Sequence, residues 1–295
     1  MIKNKFKNKK NIITKYILGF LLIFAILVWA LVFEKPDNNL NIYFLDVGQG
    51  DSIYIRTINN IDMLIDGGPG SKVIYELANA MPFYDRKIDF ILLTHPHSDH
   101  VSGLIEVIKR FDVGQVILTD ATSSSKDYLE FLTIINQKNI PTKIVRSGDE
   151  IHLDNHTKFK VFWPNSSYKD KSVTNLNNTS IVGKLSYYDF DVLFSGDAED
   201  EAQKEIIELF KDELDSEIYK VAHHGSKNGV LEEFINIINP EISIICVGDK
   251  NRFGHPHQIL LDNLTKQGSK ILRTDANSTI KIISDGQSYW TKTRK

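Results

Sequence analysis

A single cysteine, Cys246, stands in 295 residues. With no partner it makes no internal disulfide, and its isolation excludes a four-cysteine zinc site and an N-terminal lipobox. Its neighbours, Ile242-Ser243-Ile244-Ile245 and Val247, read as a buried strand, which makes the thiol a core side chain rather than a nucleophile. Also missing between Asp46 and His257 are a long Pro/Gly/Ser linker and a short-period repeat, so a string of small modules and a solenoid are excluded. An overall positive charge is absent as well. Six of the 35 basic residues stand at or before Lys15, leaving 29 against 38 acidic ones and about −9 beyond that point. Such a segment has no global pull on nucleic acid, and only a local basic groove could supply one.

What the sequence has in excess lies first at its N-terminus. Tyr16 to Phe33 runs for eighteen residues without a charge, about the length that spans a bilayer. Lys3, Lys5, Lys7, Lys9, Lys10 and Lys15 precede it, and Glu34 and Asp37 follow. The positive-inside rule then predicts a basic cytoplasmic tail over 1–15, a transmembrane anchor over 16–33, a linker over 34–39 and one extracytoplasmic domain over 40–295. A cleaved signal peptide would have a shorter apolar region and a small-x-small site after it, so an uncleaved single-pass anchor in the cell membrane is the expectation.

Beyond residue 40, apolar or alternating runs predict strands at 41–46, 52–56, 61–65, 89–93, 158–163, 180–186, 191–195, 217–222, 242–247, 270–273 and 278–283. Helices are predicted over 71–80, 101–110, 127–137, 199–212, 229–238 and 258–266. Each half supplies strands and helices in turn, which suggests an α+β domain of two sheets packed face to face with helices outside both.

The most informative stretch is Thr94-His95-Pro96-His97-Ser98-Asp99-His100, directly after the apolar run Phe90-Ile91-Leu92-Leu93. Three imidazoles and a carboxylate at the mouth of one strand are costly unless a cation compensates them, and these are the usual ligands of zinc-like ions. His95 and His97 point the same way if the strand conformation persists, whereas Asp99 and His100 open the following turn and can face a second ion. Asp197 follows Val192-Leu193-Phe194 and a glycine, so its carboxylate sits at a strand end, able to bridge two cations or to cap the helix that starts near Glu199. His223 and His224 end the strand Ile218–Val221, where adjacent side chains point to opposite sides. His255 and His257 lie in a loop before a helix, where His255 could bind a phosphate or donate a proton and His257 could cap the helix. Asp66 ends the second hairpin and is expected to orient His95 or His97 rather than to bind metal.

His95-x-His97-x-Asp99-His100 resembles the signature of the metallo-β-lactamase fold superfamily. Phe44-Leu45-Asp46-Val47-Gly48-Gln49-Gly50-Asp51-Ser52, Leu64-Ile65-Asp66-Gly67-Gly68, Asn177-Asn178-Thr179-Ser180, Ser195-Gly196-Asp197, His223-His224-Gly225-Ser226 and Gly254-His255-Pro256-His257 occur in the order seen in the hydrolase-like domain of the ComEC family of DNA-uptake competence proteins. The resemblance covers about residues 40–285. It implies the four-layer αβ/βα sandwich and two divalent ions, zinc or manganese. The implied metal ligands are His95, His97, Asp99, His100, Asp197 and His224, with His223 left as a substrate contact or proton donor beside Asp99 and His255.

One histidine of the lactamase pattern is absent, since 101–151 and 157–196 contain none. Asn178 or Ser180 stands near that point, as in the ComEC-like group, which weakens the first metal position and argues against a true β-lactamase. ComEC proteins also carry a multi-helix channel, whereas this chain has one apolar span, so hydrolytic chemistry is what transfers. The expected activity is cleavage of phosphodiesters, DNA among them, by a metal-bridged hydroxide. The alternatives are a choline-phosphate or teichoic-acid-type esterase of the envelope and a non-catalytic, metal-stabilised module that binds DNA or a competence partner.

Overall fold

The computed structural model describes residues 2–32, 38–229 and 231–294, which divide into two compact units at Asn38. The first unit is one helix, α1 (Ile2–Val32). Its stretch Ile12–Trp29 is eighteen residues long with a mean hydropathy of 2.3 and is exposed along its length. A membrane span and a signal sequence both have this form. Phe33 of the expected anchor and residues 34–37 of the expected linker lie outside the described residues.

The second unit holds two mixed sheets. Its first half runs β1 (Leu40–Phe44), β2 (Ile53–Arg56), β3 (Asp62–Ile65), α2 (Lys72–Ala80), β4 (Lys87–Leu92), α3 (Ser98–Arg110), β5 (Asp112–Leu118), α4 (Lys126–Gln137) and β6 (Thr142–Ile144). Then come β7 (Glu150–His152), β8 (Thr157–Trp163), β9 (Val182–Tyr187), β10 (Phe190–Phe194), α5 (Asp200–Phe210), β11 (Ile218–Lys220), α6 (Glu232–Ile238), β12 (Ile242–Ile245), α7 (Gln258–Lys266), β13 (Lys270–Arg273), α8 (Thr274–Asn277), β14 (Ile280–Ser284) and β15 (Tyr289–Thr293). The first sheet has the order β15-β14-β1-β2-β3-β4-β5-β6 and the second β13-β12-β11-β10-β9-β8-β7. The two halves of the chain are therefore not two closed units: β14 returns to pair with β1, Ile282 opposite Ile42.

Strand alternation explains the layering. In β3, Met63 and Ile65 face the second sheet while Leu64 faces the helices, and in β10 Val192 and Phe194 face inward while Leu193 faces outward. Phe44 and Phe194 join the two inner faces with ring centroids 6.1 Å apart. Outside the first sheet, Leu77, Leu104 and Phe131 of α2, α3 and α4 pack on Leu64 and Ile91. Outside the second, Ile206, Phe234 and Leu260 of α5, α6 and α7 pack on Leu193 and Tyr219. Three apolar cores thus separate four layers, helices outside sheets, as expected from the alternating pattern.

Strands β3 to β6 run parallel, and so do β10 to β13. Their carboxyl ends carry loops rather than hairpins, and ligands of open α/β sheets lie beyond such ends.

Candidate metal centre

Helix α3 starts three residues earlier than periodicity suggests, so the second half of the histidine motif is helical. His97 is its N-cap residue with extended backbone, and Asp99 and His100 occupy the first turn, where the helix dipole favours a carboxylate. This end of α3 is seated against the loop after β3: Gly67 N–H donates to the His100 carbonyl at 2.7 Å and Gly103 N–H to the Gly68 carbonyl at 2.9 Å. A Cβ on Gly103 would lie 1.8 Å from the Gly67 carbonyl oxygen, so the approach requires glycine.

Asp197 is the centre of the cluster. Its Oδ2 lies 3.3 Å from His100 Nε2, 3.5 Å from His224 Nε2, 3.8 Å from His223 Nε2 and 3.9 Å from His95 Nε2. Its backbone N–H donates to Ser180 Oγ at 3.1 Å. Gly196, at φ +49°, makes the turn; a Cβ there would lie 2.9 Å from that of Ser180. Asp99 Oδ2 faces His224 Nε2 at 3.4 Å. Asp99, His100, Asp197 and His224 each bring one ligand atom within 4.8 Å of the others.

The supports of the two imidazoles fix which nitrogen faces inward. His100 Nδ1 is 2.7 Å from Asp66 Oδ2, and His224 Nδ1 is 2.9 Å from the Cys246 carbonyl and 3.2 Å from Asp51 Oδ1. With Nδ1 engaged as donor, Nε2 is the ligand atom on both rings. Asp66 supports His100 and not His95 or His97, the partners expected from sequence. The reason is its place beside β4: its N–H donates to the Leu92 carbonyl, and its carboxylate accepts from Thr94 N–H at 2.8 Å and Thr94 Oγ1 at 2.7 Å. Thr94 Oγ1 is in turn 3.1 Å from His95 Nδ1. His95 Nε2 and His97 Nδ1 converge to 2.9 Å although β4 ends before them.

His223 and His224 do not point to opposite sides. The strand ends at Lys220, and both histidines have left-handed backbone, with φ of +46° and +53°, so both rings turn toward Asp197. His223 Nδ1 is 3.1 Å from Glu199 Oε1. His255 stands behind, its ring centroid 5.7 Å from that of His223, and His257 is the N-cap residue of α7 without a side-chain cap bond, 5.2 Å from His255. Asn178 faces the start of α5 instead of the cluster, accepting from Glu199 N–H at 2.9 Å and donating to Glu201 at 3.1 Å.

Sequence reading placed Asp51 in a motif without giving it a role, and overlooked Lys220. Both are buried and in direct contact, and Lys220 Nζ also donates to the Gly196 carbonyl at 3.1 Å. The signal was Lys220 in phase with Ile218 on a strand buried on both faces. Asp51, Asp66 and His100 also approach one another closely, but the Lys220 ammonium holds Asp51, and Thr94 and His100 hold Asp66, so this group is a support and not a second cation site.

Electrostatics are dominated by burial and by the four carboxylates. Burial alone would push the His100 and His224 imidazoles down, yet Asp197 with Asp66 and Asp99 at one, and Asp197 with Asp51 at the other, holds both well above the usual histidine range. Burial would raise the Asp197 carboxyl, and His224 and His100 override it, holding it well below the carboxylate range. His95 goes the other way, pushed far down by burial and by His100. Burial and the neighbouring His223 and His224 lower His255 to about 4. The donor set fits a divalent cation: His100 Nε2, His224 Nε2 and Asp197 Oδ1 are buried without a hydrogen-bond partner, and such orphaned polar atoms are costly unless a ligand takes them.

The metallo-beta-lactamase superfamily pattern matches residues 45–249, which contain every one of these ligand candidates. The chain belongs to this superfamily. It is 27% identical over 274 residues to ComE operon protein 3 of Bacillus subtilis, covering 86% of this chain and 34% of that protein. It is 22% identical over 255 residues to competence protein ComA of Neisseria gonorrhoeae, covering 84% and 33%. The chain thus spans about a third of the length of the curated relatives it matches. Igni18, a metallo hydrolase of Ignicoccus hospitalis, superposes with a TM-score of 0.51 at 15% identity over 82% of this chain and 98% of that one; at that identity the likeness is one of fold. The chain is therefore a metallo-β-lactamase-fold, ComEC-like protein with a His/Asp cluster of metal-site composition.

Proposed function

We propose that the protein is a membrane-anchored, extracytoplasmic, metal-dependent phosphodiesterase with nucleic acid as substrate. The observation that carries this reading is the Asp197 carboxylate, one of whose oxygens faces four imidazole nitrogens within 3.9 Å. Likeness to two competence proteins favours DNA among phosphodiesters. The proposed organisation is a cytoplasmic tail over 1–15, an anchor over 16–33, a linker over 34–39 and the hydrolase over 40–295, with orientation argued from the six preceding lysines.

Asp99, His100, Asp197 and His224 would hold one cation, zinc or manganese, and His95 and His97 with Asp197 would form an adjoining position with one ligand fewer. A divalent cation supplies Lewis acidity on a phosphoryl oxygen and makes water nucleophilic at neutral pH. The residues supply the rest. Asp66 and the Cys246 carbonyl fix the tautomers of His100 and His224, with the Asp51 carboxylate beside the second ring. His223, its Nδ1 facing the Glu199 carboxylate at 3.1 Å, presents Nε2 as the proton donor to the leaving oxygen. His255, neutral at pH 7, is suited to hydrogen-bonding a phosphate oxygen rather than to giving up a proton. Asn178 and Ser180 hold the Asp197 loop in place.

The test is turnover of bis-p-nitrophenyl phosphate and of single-stranded DNA by the full chain in detergent, with manganese or zinc, beside Asp197→Ala. Metal-dependent cleavage lost in the variant is the expected result. Absence of turnover with metal and DNA still bound would assign a non-catalytic binding module instead.

A further inference from the structure

We propose that Arg252 and Phe253, in the loop after β12, form a subsite that stacks the nucleobase next to the scissile phosphate. This rests on the phosphodiesterase reading above. Phe253 is 50% exposed, and its ring lies nearly parallel to that of His255, centroids 5.6 Å apart at 27°. His255 leads to His223, whose Nε2 faces Asp197. A ladder of ring contacts, stacked from Phe253 to His255 and edge-on at 79° from His255 to His223, therefore runs from the rim of the loop to the centre of the cluster.

One side chain holds this ladder in shape. Asn251 Nδ2 donates to the Gly248 carbonyl at 3.1 Å and to the His255 carbonyl at 2.7 Å, while its Oδ1 accepts from Phe253 N–H at 3.2 Å and His255 N–H at 3.0 Å. An exposed aromatic ring on a loop closed by four hydrogen bonds is presented in advance, so little ordering remains for binding to supply.

The chemistry of the ladder selects its ligand. The Arg252 guanidinium carbon lies 5.0 Å from the Phe253 ring centroid, in the place where a quaternary ammonium would seek the ring. A trimethylammonium headgroup meets a cation already there, whereas a nucleobase stacks on ring and guanidinium planes alike and its phosphate accepts from the guanidinium. The ligand class is a nucleotide and not a choline ester. Lys250 and Arg252, with Asp249 the one acid among them, also give this loop a local positive balance in a domain that is acidic as a whole.

The experiment compares thymidine 5′-(p-nitrophenyl phosphate) with methyl p-nitrophenyl phosphate as substrates of the full chain, its Phe253→Ala variant and its Phe253→Trp variant, with manganese. Stacking of one base predicts that Phe253→Ala lowers the ratio of kcat/KM for the two substrates by about tenfold, chiefly through KM of the thymidine ester, and that Phe253→Trp restores it. An unchanged ratio, an equal loss on both substrates, or a preference of the native chain for p-nitrophenyl phosphorylcholine over the thymidine ester would each overturn the proposal. If the native chain turns over none of these, the phosphodiesterase reading fails and calorimetry decides the subsite separately. Thymidine 5′-monophosphate binding more tightly than methyl phosphate, with the difference lost in Phe253→Ala, upholds stacking; equal binding refutes it.

Discussion

Asp51 presents its Oδ1 3.2 Å from Nδ1 of His224. Its other oxygen meets the Lys220 ammonium, which is as deeply buried as the carboxylate itself. The pair therefore places a carboxylate beside a proposed metal-binding imidazole while each charge cancels the other. Breaking such a pair from one side leaves a buried charge without its counter-charge, here with only the Gly196 carbonyl on the ammonium.

Asp51→Ala strands that ammonium and is expected to destabilise the fold by about 3–5 kcal/mol, read as a shift of the unfolding transition in detergent. The double variant Asp51→Leu, Lys220→Met should recover most of this loss while still binding metal more weakly, because His224 has lost one of its two Nδ1 partners. Equal metal affinity in the double variant and the native chain would contradict the positioning role.

Asp66→Asn keeps the volume but removes the charge behind His100. Loss of a carboxylate that orients a metal-binding imidazole costs about 10–100-fold in metal affinity, and titration of manganese into the stripped variant measures it. An affinity within twofold of native would show that the Thr94 and Asp66 contacts are incidental to metal binding.

His100 and His224 titrate near 6.5 when unfolded and well above that in the fold. A raised histidine contributes stability that is fully present below 6.5 and is lost as pH rises through the folded value. The chelated protein should therefore lose stability on going from pH 6.5 into the alkaline range. Metal competes with the same protons, so metal affinity should rise over the same window, with proton release seen as a buffer-dependent heat. Melting curves that do not move with pH in the chelated protein would contradict this assignment.

His223→Asn separates acid catalysis from metal chemistry. A leaving p-nitrophenolate needs no proton, whereas the alkoxide leaving DNA does, so the variant should lose about 100-fold or more on DNA and much less on bis-p-nitrophenyl phosphate. Equal losses on both substrates would place His223 in binding and not in proton transfer.

The sandwich was legible because its strands are apolar on both faces: the unbroken runs Met63, Leu64 and Ile65, or Val192, Leu193 and Phe194, announce a strand covered on two sides by composition alone. Strands β5, β6, β7 and β15 were not legible. Asp112–Leu118 follows α3 with no turn residue to separate it, β6 and β7 are three residues each, and Tyr289–Thr293 is an edge strand with little apolar content. The histidine motif was plain, but its geometry was not. That His223 and His224 share one carboxylate depends on left-handed backbone at two non-glycine residues, and that Asp66 serves His100 depends on how β3 pairs with β4. A lysine in a strand is ordinarily solvated, so only the phase of Lys220 with Ile218 hinted at a buried cation.

Titration of manganese into the metal-stripped chain measures whether Asp197 organises a metal centre. Saturable binding, weakened at least tenfold by Asp197→Ala with the fold intact by circular dichroism, is the predicted result. Binding of equal strength in the variant, or none in the native chain, would show that Asp197 organises no metal centre.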